Sequence, residues 1–117
     1  MLPENSLFLI PFSSGVIFII AGFIMLKFPP KKINSIYGYR TNASMKNQER
    51  WDFAQIYSSK KMMKIGTSLA FSALIGWIYQ PSENIATILG LCILLSAIIF
   101  LISMVEKKLK SKFTKDL

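Results

Sequence analysis

A chain of 117 residues is one domain at most, and this one is 52% hydrophobic with a mean hydropathy of +0.43, more than a soluble core of its size needs. Fourteen Lys and Arg stand against six Asp and Glu, a net charge of +8, and the chain has no His and a single Cys, Cys92, inside an apolar run. Disulfides, His-ligated metal sites and Ser-His or Cys-His nucleophile pairs are thereby excluded, and no cofactor is expected.

The first apolar run, Leu7 to Leu26, is 20 residues without a charge. At about 1.5 Å per helical residue it covers roughly 30 Å of hydrocarbon, enough to cross a bilayer. A cleaved signal peptide is the competing reading, but it needs a basic flank before the run, and here only Glu4 precedes it while the basic residues follow. Pro11 falls in the first turns, where a missing N–H matters least, and Gly15 and Gly22 are small enough to let another helix approach.

Residues 27–61 form a polar connector, opened by Pro29 and Pro30, which stop the first helix. Ser44 can cap a new helix, and residues 45–61 contain neither Gly nor Pro. Trp51, Phe53, Ala54, Ile56 and Tyr57 give that helix a ragged apolar face. It is expected to lie at the membrane interface or to lead into the next span, with a solvated linker as the plainer alternative.

The second run, Ile65 to Tyr79, is extended by Met62 and Met63, and Lys64 can snorkel its ammonium to the headgroups. Ser68, Ser72 and Gly76 recur every four residues, a stripe suited to helix packing, against the alternative of a substrate path. Trp77 and Tyr79 mark the exit as an aromatic belt. Gln80 to Asn84 is a turn between antiparallel neighbours. Ile85 to Met104 is again 20 residues without a charge, with Ala86 and Gly90 as a small-residue pair and Cys92 as a small apolar residue. Beyond Glu106, the residues Lys107, Lys108, Lys110, Lys112 and Lys115 form a basic tail, read as a cytoplasmic anchor. The expected fold is all-α: a single integral membrane domain, a three-helix bundle with spans near 7–26, 62–79 and 85–105, a cytoplasmic interfacial helix between the first two spans, and a tail at 106–117.

All fourteen basic residues lie in the connector with its edge or in the tail. Three spans place both on one side, and positive-inside bias makes that side cytoplasmic, with the N-terminus outside. Topology and attraction to anionic headgroups then account for the lysines, and no direct contact with nucleic acid is expected. They do not account for Asn34, Gly38, Arg40, Thr41, Asn47 and Trp51. Gly38 permits a positive φ and so a tight turn. Arg40 offers a planar fork of donors to a lipid phosphate, a helix C-terminus or a peptide carboxylate. Asn47 lies one helical turn before Trp51, so amide and indole can share a face. The structural alternative is that Arg40 caps exposed carbonyls and Trp51 anchors the interfacial helix.

Asn34, Gly38, Arg40-Thr41, Ser44-Met45-Lys46-Asn47 and Trp51, at their spacing, resemble the SdpI family, bacterial membrane proteins related to the immunity protein against a sporulation-delaying peptide toxin. Longer family members carry additional N-terminal spans, so the chain looks like the minimal three-helix form. The resemblance implies a multi-pass protein of the bacterial inner membrane, immunity or resistance to a membrane-active toxin peptide, and signalling by sequestering a cytoplasmic repressor at the membrane. From a different class, a small membrane scaffold or accessory subunit would use the Ser68, Ser72 and Gly76 stripe to pack on a partner, and self-association stays open. Transport is weakly supported, because no Asp, Glu, Lys or Arg lies in the central part of a span. An enzyme is not expected: Glu49 and Asp52 beside Lys46 and Arg50 read as surface ion pairs, and no nucleophile, base and orienter converge.

Overall fold

The computed structural model describes residues 4–113, and all regular structure among them is helical: α1 (Ser6–Lys27), α2 (Gln48–Ser72), α3 (Leu74–Ile78) and α4 (Glu83–Lys112). Lys115 and the rest of the tail beyond Phe113 lie outside the described residues.

Asn5 opens α1, its side-chain oxygen accepting the Phe8 N–H at 3.2 Å while its amide donates to the Gly76 carbonyl at 2.9 Å. Because the helix begins at Ser6, Pro11 is its sixth residue and lies past the first turn; the missing donor takes away a backbone bond to Leu7 that a first-turn proline would not. The expected Ser44 cap is also displaced. Asn47 caps α2, accepting the Arg50 N–H at 2.8 Å, because Ser44 is engaged in the turn before it. From Gln48 the helix runs 25 residues without a break, so of the two arrangements expected for the connector helix it takes the one that leads into the second apolar run. At Ala73 the turn tightens: its N–H is shared between the carbonyls of Leu69 (3.2 Å) and Ala70 (3.3 Å), and Gly76 N–H donates to Ala73 O at 3.0 Å, which hands the rod on to α3.

α1 and α2 are antiparallel and touch backbone to backbone. A Cβ built on Gly15 would stand 2.5 Å from the Gly66 carbonyl oxygen, and one on Gly66 would stand 2.7 Å from the Gly15 oxygen. One heptad further along, Gly22 faces the Ser59 carbonyl in the same way. Close van der Waals approach through small residues holds the two helices together, a contact that does not rely on water around them.

Among the described residues α1 and α4 are the two helices long and apolar enough to cross a membrane, and they bury only 28% and 17% of their most apolar stretches within the chain. A core helix of a soluble domain would bury most of that surface. Here Ile17, Ile20 and Phe23 on α1 and Ile88, Leu95 and Ile99 on α4 point outward, as hydrocarbon-facing residues do. α4 meets the other helices near its two ends. Gly90 packs against Ser6 and Ile10, and Leu101, Val105, Leu109 and Phe113 are buried with Ala54 of α2. The segment 106–112, a basic tail by composition, is thus helical, with an apolar stripe that forms a wall of the bundle.

Replacing Gly66 with Leu should force α1 and α2 apart and cost at least about 1–3 kcal/mol, as overpacking does. Denaturation by SDS followed through tryptophan fluorescence should show that loss, while Ser103→Leu, on an exposed face of α4, should leave the midpoint unchanged.

Candidate functional site

The connector between α1 and α2 is folded onto the start of α2 and the end of α4. Pro29 and Pro30 turn the chain back, and the Pro30 carbonyl accepts the Trp51 Nε1–H at 2.6 Å. Trp51 is fully buried, and a buried indole N–H requires such a partner. Asn34 then shapes the next turn. Its side-chain oxygen accepts the N–H groups of Ile36 (2.9 Å) and Tyr37 (2.7 Å), and its amide donates to Lys32 O at 3.0 Å. The Tyr37 hydroxyl donates to Phe28 O at 2.7 Å.

Gly38 takes a φ of +112°, and a Cβ there would meet Gln55 Oε1 at 2.6 Å and Pro30 Cγ at 2.7 Å. Both conformation and space therefore demand glycine. The turn brings the Tyr39 backbone alongside the Gln55 side chain, which pairs with it in both directions: Tyr39 N–H donates to Oε1 at 2.7 Å and Nε2 donates to Tyr39 O at 2.9 Å. Gln55 is 1% exposed. A buried amide bonded through both its donor and its acceptor acts as a peg for the whole loop.

Ser44, also buried, closes the following turn. Its hydroxyl accepts the Thr41 N–H at 2.8 Å and lies 3.0 Å from the carbonyls of Tyr39 and Thr41, while Thr41 Oγ1 accepts the Ser44 N–H at 3.1 Å. On the far side, Glu106 Oε2 of α4 accepts the Tyr39 hydroxyl at 2.7 Å and the Thr41 hydroxyl at 2.9 Å. Burial, reinforced by the hydrogen bond and charge of Glu106, pushes the Tyr39 phenol well above the ordinary tyrosine value. Its neutral form is the docked form. This contribution is complete below a pH of about 10 and is lost as pH rises further, because the undocked phenol ionises first. Arg50, fully buried, donates from Nη2 to the Phe113 carbonyl at 2.9 Å and stacks 5.3 Å from that ring, satisfying the end of α4.

Of the six connector residues singled out in the sequence, five build this architecture: Asn34 and Thr41 form turns, Gly38 supplies the positive φ, Asn47 is the helix cap, and Trp51 is the buried anchor. Asn47 and Trp51 do not present a shared outward face. Arg40 alone among the six points outward, exposed, with its guanidinium bonded to no described residue. Of the stripe, Gly76 packs against the Phe8 backbone of α1, whereas Ser68 is exposed and Ser72 bonds its own helix at Leu69 O, 2.6 Å away. Successive four-residue steps drift by about 40° around a helix, and the tightened turn at Ala73 adds to that drift, so the three do not share one face. Glu49 lies in the first turn of α2, and Asp52 accepts the Gln48 amide at 2.7 Å.

Gln55, Arg50 and Glu106 were not visible as site residues in the sequence. The signal for Gln55 is its place in the series Trp51, Ala54, Gln55, Ser58, Ser59, a helical stripe whose members are all buried. Weighting by large apolar side chains favours instead Phe53, Ile56 and Tyr57, which are only half-buried flanks.

The chain matches the SdpI/YfhL protein family over residues 31–105, covering most of the connector, α2, α3 and α4 as far as Val105. It is similar to the uncharacterized protein YfhL of Bacillus subtilis (strain 168), with 40% identity over 96 residues, 82% of each chain. No solved structure matches it.

Substituting Gln55 with Leu keeps the volume but strands the Tyr39 N–H and leaves the Tyr39 carbonyl only the Ser44 hydroxyl, at a cost of about 1–3 kcal/mol for a buried group left unmet. Trypsin should then cut after Arg40 markedly faster, while the remainder of the chain keeps its helicity by circular dichroism. A phenolate titration of the protein against its Tyr39→Phe variant isolates Tyr39 by difference. Its step should lie well above pH 10, and a step near 10 would contradict its burial.

Proposed function

This chain belongs to the SdpI/YfhL protein family, and on that premise we propose that it is a bacterial inner-membrane protein conferring immunity to a membrane-active peptide toxin. In this proposal α1, the α2–α3 rod and α4 each cross the bilayer. The N-terminus is outside, and the connector and the basic end of α4 are cytoplasmic, an orientation supported by the positive-inside bias of the lysines. The cytoplasmic face also serves signalling, by holding a repressor at the membrane.

The observation that carries this reading is the division of labour in the connector. Five of its distinctive residues are spent on rigidity, and the rigid loop displays Arg40. A preorganised, exposed guanidinium suits a carboxylate on a protein surface, because its planar fork loses little freedom on binding. A scaffold packing on a partner through Ser68, Ser72 and Gly76 loses one of its three residues, since Gly76 is covered by α1 of the same chain.

Expression in a toxin-sensitive strain should raise survival above the empty vector, and survival equal to the vector would refute immunity. Arg40→Ala should reduce protection at unchanged protein level, because the residue is exposed and outside the packed core. Trp51→Ala is less informative, since losing a buried indole unseats the connector itself.

A further inference from the structure

We propose that the face between α2 and α4 is a binding site for one anionic phospholipid of the leaflet at the basic end of the bundle, independently of any role in immunity. α4 packs on α1 at Gly90 and on α2 from Leu101 onward, and between these contacts a groove opens along the α2–α4 face. Its middle section, about 440 Å³, is walled by Ile65 and Leu69 of α2 and Ile93 and Phe100 of α4, with Ser68 and Ser96 as its small residues. Toward the basic end the same faces continue into a smaller cleft of about 250 Å³ lined by Tyr57, Met104, Lys107, Lys108 and Ser111.

Spacing shows that these are one surface. On α4, Ile93, Ala97, Phe100, Met104, Lys107 and Ser111 follow steps of three and four residues, as do Tyr57, Lys61, Ile65, Ser68 and Ser72 on α2. From Tyr57 to Ser72 the groove is about 22 Å long, which matches one leaflet with its headgroup. The apolar part is therefore placed for acyl chains. The cleft at its end holds two exposed ammonium groups and two hydroxyls, and Lys61 stands 5.4 Å from the Tyr57 ring beside it. That set fits a phosphodiester with a net negative charge.

Other occupants fit less well. A second copy of the chain related by a two-fold axis along the membrane normal would bring its own lysines against these. A peptide would bring main-chain donors and acceptors to walls offering little beyond hydroxyls, of which Ser72 already bonds its own helix.

Native mass spectrometry of the detergent-purified protein, titrated with phosphatidylglycerol and with phosphatidylcholine of identical chains, tests the site. Phosphatidylglycerol should form a one-to-one adduct about tenfold or more tighter than phosphatidylcholine, given roughly 1 kcal/mol per lysine at the surface. Lys107→Gln with Lys108→Gln should abolish that preference, and Ala97→Phe, which fills the groove, should weaken both lipids. Lys31→Gln with Lys32→Gln, in the connector away from the groove, should leave the preference intact. Equal affinity for the two lipids, or equal loss from the connector pair, would overturn the proposal, the latter by showing diffuse attraction to the basic surface. If Ala97→Phe disturbs folding by circular dichroism, the two lysine pairs decide the matter.

Discussion

The buried amide of Gln55 is the constraint on which the connector depends. A long loop of polar residues has no apolar reason to lie down on a helix, and its backbone groups lose water when it does. Gln55 meets both the donor and the acceptor of Tyr39 from within α2, so the loop docks at one point with its polar groups satisfied. Glycine is required at position 38 because a side chain there would strike that same amide. Tyr39 and Thr41 are then within reach of Glu106, and the loop is joined to α4 as well as to α2.

The helices follow a second logic. α1 and α2 are locked by glycines meeting backbone to backbone, a contact that needs no difference in polarity between protein and lipid. α4 has no comparable seam along its length. It is fixed at one end by Gly90 and Glu83, which accepts the Ser6 N–H at 3.0 Å. At the other it is held by its buried apolar stripe, Glu106 and the Arg50 bond to Phe113. A helix held at both ends and open between them leaves a groove beside a tight pair.

This arrangement separates residues that make the connector from the residue it shows. A distinctive sequence pattern invites a recognition role for each of its members, yet Asn34, Gly38, Thr41, Asn47 and Trp51 are accounted for by turns, a cap and burial. Loss of function on replacing them would report loss of the platform. Arg40 differs because its environment demands nothing of it, and an exposed, rigidly placed arginine is not explained by stability.

The apolar run lengths, the position of the charges and the connector pattern were enough to determine an all-helical membrane chain and its family, because crossing hydrocarbon needs long uncharged helices whatever their packing. The tertiary structure alone decided which face of each helix is buried. Ser58, Ser59, Gly66 and Gln55 lie at contacts where close approach and hydrogen bonding outweigh hydrophobicity, so apolar periodicity passes over them and selects the Phe53, Ile56 and Tyr57 flank. The sequence left open whether the connector helix lies at the interface or leads into the second run, and the packing of the 106–112 segment as a wall was hidden. That packing depends on partners far away in the chain, Tyr39 with Glu106 and Arg50 with Phe113, and no local pattern reports a contact between residues more than sixty positions apart.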